Sequence, residues 1–312
     1  MNGNVQNVNH QMIEEDEIDL RELWQTIKKG KKIIIILTTV IVSLTLVYVL
    51  KLPNEYKSSA TLIPTESSSP SLGGLGGLAA MAGVSLGGGG SMTPDVAFQS
   101  LLNNYEFMKN FVMKHKIVEH YYDNSVDKNY VFALGFRGVY DFFNSKKELK
   151  DYDKAVYDTV QSLMKSFSID SDKKTSLVTV SFSDKDRSYT PKMVNWFLDD
   201  ASEYLVKNSL KNTDEKLNYF EKEFEKANSV EIRQSLSQTI SKIVENKVVL
   251  QSKRYYQCDP LTMPYEPYIK DKTKPKRSLI LVVSFVTSII LGVFLVFFLE
   301  FLKAKPEEET TE

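Results

Sequence analysis

Apolar positions along this chain fall into two long unbroken runs near its ends and, between them, short stretches that alternate or recur at helical spacing. Ile33 to Leu50 is 18 residues without a charge, 13 of them Leu, Ile or Val, between Lys32 and Lys51. At about 1.5 Å per helical residue it covers roughly 27 Å, close to a bilayer's hydrocarbon thickness. Ser278 to Leu299 is 22 uncharged residues with 17 Leu, Ile, Val or Phe, bounded by Arg277 and Glu300. It reaches roughly 33 Å, enough to cross with some tilt. A buried core strand or helix needs only about 10 to 14 apolar residues, so residues 33–50 and 278–299 are expected to be transmembrane helices. A cleaved signal peptide processed near Ser58-Ser59-Ala60 fits the first run poorly, because Lys51, Pro53, Glu55 and Lys57 intervene and the run exceeds an h-region.

Lys28, Lys29, Lys31 and Lys32 precede the first run, and such a basic flank holds that end in the cytoplasm. The expected organisation is a cytoplasmic segment 1–32, a span 33–50, a periplasmic domain 51–277, a span 278–299 and a cytoplasmic tail 300–312. Lys270, Lys272, Lys274, Lys276 and Arg277 argue the other way, but charge bias loses its grip on long loops. The tail is short, and no cytoplasmic catalytic domain is expected after it.

Within the large segment, Tyr56 to Ile63, with β-branched Thr61 and Ile63, has the turn-bounded length of a strand and is closed by Pro64, which predicts a strand over 56–63. Residues 67–90 hold nine of the fourteen glycines, interleaved with Leu72, Leu75, Leu78, Met81 and Val84. That is a flexible loop, too apolar for an ordinary Gly/Ser linker, and its role stays open. Thr93-Pro94 starts a helix near 94–116 and Tyr152 begins another near 152–166. Strands are expected near 167–169 and 175–182 around the polar turn at Asp170 to Lys174. Helical spacing then runs over 190–227 and resumes, out of phase, over 230–254. Asn228 with Glu231 suggests a cap at a bend. Pro260, Pro264, Pro267 and Pro275 make residues 259–275 a stiff, extended return to the membrane. The fold class is α+β: two transmembrane helices flanking a periplasmic domain, with a membrane-proximal α/β base and a long protruding helix.

Composition adds exclusions. Apolar residues make up 42% and charged residues 25%, an ordinary globular mixture. The 39 basic and 40 acidic residues nearly cancel to −1, without the basic excess of a nucleic-acid binder. One cysteine, Cys258, and three histidines, His10, His115 and His120, exclude disulfide scaffolds and zinc modules. His115 and His120 are read as surface or capping residues. No phosphate-cradling, metalloprotease or nucleophile-elbow motif is present. Ser162-Leu163-Met164-Lys165 matches an acylating string but reads as an amphipathic helix face, and Asp199-Asp200 as part of a solvated one. No catalytic, cofactor or metal site is expected.

Ile18-Asp19-Leu20-Arg21-Glu22-Leu23-Trp24, the lysines and first span, and Pro53-Asn54-Glu55-Tyr56-Lys57-Ser58-Ser59-Ala60-Thr61-Leu62 together resemble the N-terminal signature of the Wzz family of polysaccharide co-polymerases. The approach through Pro267 and Lys274-Pro275-Lys276-Arg277 into the second span resembles its C-terminal signature. The second span departs in retaining one glycine, Gly292, where relatives often carry several. The resemblance implies a ring of identical subunits in the bacterial inner membrane. There it would set the chain length of a lipid-linked surface polysaccharide, such as the O-antigen of lipopolysaccharide, beside a Wzy-type polymerase. It separates this chain from tyrosine-autokinase relatives, which carry a cytoplasmic nucleotide-binding domain. Gly292, Pro267 and Pro275 are the candidate partner contacts. Trp196, Phe197, Leu217, Phe220 and Phe224 are the candidate oligomer interface, as parts of an apolar stripe that one protomer covers poorly. A capsule or exopolysaccharide co-polymerase working with a separate kinase is the alternative. A two-span sensory receptor and a periplasmic glycan-modifying enzyme are weaker ones.

Overall fold

The computed structural model describes residues 20–65, 92–123, 125–144 and 149–303. The Gly-rich segment 67–90 lies outside them, as do residues 1–19 and 304–312. The chain divides into two units, residues 1–51 with 276–312, and residues 52–275.

In the first unit, helix α1 (Leu20–Lys51) packs against the helix that ends the described chain, Arg277–Lys303. Each contains an apolar stretch long enough to cross a membrane, and most of each stretch is exposed rather than buried by protein. An apolar surface left open over a whole helix is stable in lipid and costly in water.

The second unit is built on a four-stranded antiparallel sheet in the order β2-β3-β1-β4. β1 (Tyr56–Pro64) occupies a central position because its alternation is strict: Tyr56, Ser58, Ala60 and Leu62 are buried on one face. Helices α2 (Pro94–Leu102), α3 (Tyr105–Lys114), α4 (Ile117–Tyr122), α5 (Arg137–Phe143) and α6 (Tyr152–Ser166) follow it. β2 (Phe167–Ser171) and β3 (Val178–Asp184) form a hairpin in which Phe167 opposes Phe182 and Ile169 opposes Val180. β3 pairs with β1, Ala60 opposite Val180. Then come α7 (Thr190–Lys226), α8 (Val230–Ser252) and β4 (Cys258–Thr262), the returning helix Arg277–Lys303 being α9.

The stretch expected as one helix over 94–116 is two. The chain breaks at Asn103-Asn104, where Asn104 Oδ1 accepts the Phe107 N–H at 2.9 Å and caps α3, as asparagine does when it competes with the helix backbone. The third strand starts at Val178, three residues later than expected, because Thr175 to Leu177 finish the turn with Ser176 at φ 57°. The return through 259–275 is not wholly extended spacer: its first part is β4, an edge strand, where Pro260 costs no ladder bond. The bend between α7 and α8 falls at Ala227 to Ser229, and the cap position is Ser229, whose hydroxyl bonds Glu231, rather than Asn228.

α7 changes character along its length. Thr190, Met193, Val194, Phe197, Leu198, Ala201 and Ser202 recur at helical spacing and are buried against β1 and β3. Beyond Ser202 no residue of α7 is fully buried, and α8 has none. The distal part of α7 has α8 as its partner, with Lys247 paired to Asp214 at 2.6 Å. A helix of 37 residues reaches about 55 Å at 1.5 Å per residue, so α7 runs well past the core that holds its start.

Candidate functional site

The two apolar helices meet through small side chains. Gly30 on α1 lies against Val296 of α9: a Cβ there would sit 2.3 and 2.4 Å from the valine's two methyls. Gly292 faces Ile34, and a Cβ there would meet its Cγ2 at 3.2 Å and its Cα at 3.3 Å. Toward the other end, Thr45 Oγ1 and Ser284 Oγ are 2.7 Å apart. Thr45 also donates to the Ile41 carbonyl at 2.9 Å, which leaves the serine to donate across the pair. The helices are antiparallel, with Thr26 and Gly30 on one and Ser288, Gly292 and Val296 on the other buried at four-residue spacing. Close backbone approach through small residues is how helices associate where lipid removes the hydrophobic drive. Gly292, expected to receive a partner protein's helix, is therefore occupied by the chain's own first span. A single glycine suffices on α9 because the matching one sits on α1.

The aromatic stripe of α7 splits in the same way. Phe197 is fully buried, ringed by Phe107, Phe111 and Phe167 at 6.2, 6.3 and 4.9 Å, and is no surface residue. Trp196, half-buried, stacks on the His115 ring at 4.5 Å. Leu217, Phe220 and Phe224 are half-buried. Phe220 shares a groove with Ile232 and Leu236 of α8, and the Arg233 guanidinium lies over the Phe224 ring at 5.6 Å. What faces outward on this helix pair is instead Tyr219, Val230, Ile232 and Val248.

Where α3 and α4 meet α7, charged groups are drawn in. Asp200 accepts from Lys114 at 2.8 Å and bonds His115 at 2.9 Å, and is largely covered; it is not on a solvated face as the sequence suggests. His115 ends α3 as its C-cap. His120 stacks on Tyr189 at 3.6 Å, with the Asp186 carboxylate 3.9 Å away. Burial holds this imidazole below its ordinary pKa, against the pull of Asp186 and Asp184. Beside it, the Tyr121 hydroxyl donates to Asp184, whose carboxyl burial pushes up. These groups fasten helices to the start of α7, each aromatic ring covering the polar contact next to it. Lys114 and Asp200 also line a shallow groove with Asn104, Glu106, Tyr204 and Lys207, and among the described residues no group of three His, Cys, Asp or Glu could hold a metal.

The remaining candidates also turn inward. Pro267 is buried, and its carbonyl accepts from Arg187 Nη1 at 3.2 Å while Arg187 pairs with Glu266 at 2.8 Å. It is held by its own chain rather than offered to a partner. Pro275 is half-buried after Lys274, whose carbonyl accepts the Glu55 N–H at 2.8 Å. Cys258 is fully buried, and burial pushes its thiol up to about 12.

Fold and contacts define an α+β protein with two helices able to cross a membrane and a third, long helix leaving its core. Residues 16–115, which take in the first span, β1, α2 and α3, match the family model of the Wzz chain length determinant protein. A solved full-length bacterial polysaccharide co-polymerase shares 12% identity, covering 93% of this chain and 100% of its own, at a TM-score of 0.39. A search of curated proteins returns no match.

Proposed function

We propose that this protein sets the chain length of a lipid-linked surface polysaccharide, the O-antigen of lipopolysaccharide, without catalysing its synthesis. It acts as a homo-oligomeric scaffold in the bacterial inner membrane beside a Wzy-type polymerase, with residues 52–275 in the periplasm. One observation carries the reading: the match to the chain length determinant model runs through the first apolar helix and into the sheet, so it takes in both the candidate anchor and the start of the domain attached to it. The spans supply the anchor through the Gly30 and Gly292 contacts. The exposed apolar residues of α7 and α8, Tyr219, Val230, Ile232 and Val248, supply a surface for neighbouring copies, in place of Phe197. No cofactor and no nucleic acid enters the scheme. Gene deletion with silver-stained gels tests it: polymer synthesis continues while the length distribution loses its mode. Complete loss of polymer favours the capsule or exopolysaccharide co-polymerase instead, and an unchanged ladder refutes both.

A further inference from the structure

Two helices of the second unit turn the same kind of face to one groove. Phe107, Phe111 and Lys114 recur on α3 at steps of four and three residues, and Asp200, Tyr204 and Lys207 repeat those steps on α7, which puts each set on one side of its helix. The groove they line has a volume of about 410 Å³, within the range of about 300 to 1,000 Å³ that small-molecule sites occupy. Its floor is aromatic. Phe111 is buried, Phe107 half-buried and Tyr204 45% exposed. The Phe107 and Tyr204 rings meet edge-on at 5.6 Å, and Phe107 is braced in turn by Phe197 at 6.2 Å, so the tyrosine ring is propped from the core while part of it stays open.

Charge lines the rim. Lys114 is engaged by Asp200 at 2.8 Å and Glu203 at 3.8 Å, and the second Asp200 oxygen by His115 at 2.9 Å. The Glu106 carboxylate, the Asn110 amide and the Lys207 ammonium border the same groove and pair with no other side chain among the described residues. An exposed tyrosine alone needs no explanation. A propped ring bordered by an unused acceptor, an unused donor and an amide that is both has the make-up of a binding site.

The same groups narrow the occupant. Three carboxylates, Glu106, Asp200 and Glu203, face two ammonium groups, Lys114 and Lys207, so an anionic ligand gains nothing from the field of the groove. An apolar helix laid there would strand Glu106 and Lys207 away from water at a cost the rings do not offset. A sugar ring satisfies every part: its C–H face lies on the tyrosine, while its hydroxyls donate to Glu106 and accept from Lys207 and Asn110.

We propose that this groove binds an uncharged pyranose unit of a glycan chain, stacked on Tyr204 and hydrogen-bonded by Glu106, Asn110 and Lys207. The proposal rests on the reading that the protein acts on a surface polysaccharide, and it gives that polysaccharide a place on residues 52–275.

The probe is the host strain's own surface polysaccharide, cut from its lipid by mild acid. It is added to the full chain in detergent with about 1 M sodium chloride, which screens charges beyond about 3 Å. Saturation transfer from protein to sugar protons, followed over a concentration series, gives the dissociation constant. Wild type is expected to bind, and Tyr204→Ala to bind about tenfold more weakly for loss of the stacked face. Glu106→Gln, which keeps the size of the side chain, is expected to bind about fivefold more weakly. Tyr265→Ala, at a 71% exposed ring outside the groove, binds as wild type does. If Tyr204→Ala melts below wild type, Glu106→Gln decides alone, since an exposed and unpaired carboxylate has no packing to lose. No binding by wild type, or equal binding by both groove variants, overturns the proposal. So does binding lost together with the oligomer on mass photometry, which assigns the groove to a neighbouring copy. Gene deletion separates this site from the function it rests on: a lost modal length with no polysaccharide bound refutes the site alone, and bound polysaccharide with an unchanged ladder refutes length control alone.

Discussion

Truncating Phe197 to alanine separates a core residue from an interface residue. The side chain is fully buried and meets three rings, those of Phe107 and Phe111 edge-on and that of Phe167 at 4.9 Å. Phenylalanine to alanine in a core costs about 3 to 5 kcal/mol, the spread reflecting how far the site collapses. Three aromatic partners that cannot all close the gap place this site toward the upper end, since each such pair adds about 0.5 to 1.5 kcal/mol beyond area. For a unit of this size about 2 to 4 °C is lost per kcal/mol, so the melting transition of residues 52–275 should fall by about 6 to 20 °C. Calorimetry on the full chain in detergent, at several protein concentrations, measures it. Core placement requires the drop to be independent of concentration and the oligomer to persist on native mass measurement below the transition. A shift under about 2 °C accompanied by dissociation would put Phe197 back at an interface and refute the packing described.

The two span glycines should differ. Gly30→Ala drives a methyl to 2.3 Å from Val296, and valine is too stiff in a helix to swing both methyls clear, so overpacking of about 1 to 3 kcal/mol is expected. Gly292→Ala, at 3.2 Å from Ile34, should be milder; cross-linking of a Thr45→Cys, Ser284→Cys pair in each background reads the loss, and Val296→Ala should partly restore Gly30→Ala. Acid should weaken the second unit through His120: burial depresses its pKa below the ordinary 6.5, so its contribution is present above 6.5 and is lost as pH falls through the lower folded value. Asp184, pushed above its ordinary 3.8, works in the opposite sense, so the melting temperature of His120→Gln should decline less than that of the wild type as pH drops from 6.5, and equal slopes would contradict the assignment. Cys258, with its thiol raised from 9.0 to about 12, should carry about a thousandfold less thiolate than an unfolded one, so impermeant maleimide should label it only in denaturant. Val230→Cys, 75% exposed, should label in the folded protein in cells with a permeabilised outer membrane, and labelling only after the inner membrane is broken would reverse the orientation.

The sequence showed its strongest periodicities and lost the rest to tertiary packing. Charge-free runs have one stable environment, so both spans could be read from composition alone. The slip of the α7 stripe at Asn228-Ser229 marked the bend, because a phase change in apolar spacing cannot be carried by one straight helix. Periodicity does not say what covers a stripe, however. Met193, Trp196 and Phe197 continue the pattern of Leu217 and Phe220, yet the first group packs on or into the core around α3 and the sheet and Phe220 meets α8. The neighbour of Gly292 is illegible for the same reason: a small residue announces a close neighbour without naming it, and Gly30, which lies against α9 as Gly292 lies against α1, sits in a lysine-rich flank with no apolar context to suggest the match. α4, α5 and the segment around Leu134 had no clear period, being one or two turns long. β4 was hidden by its proline, tolerable only because the strand is an edge.

The function proposed for this chain is to set a length rather than to make a bond. Its most direct measurement is the distribution of repeat units per polysaccharide in a deletion strain to which the protein is returned at graded levels. Length control predicts that total polymer stays nearly constant while a single modal length emerges and sharpens as the protein rises. Polymer that increases in proportion to the protein with no change in its distribution would contradict the account.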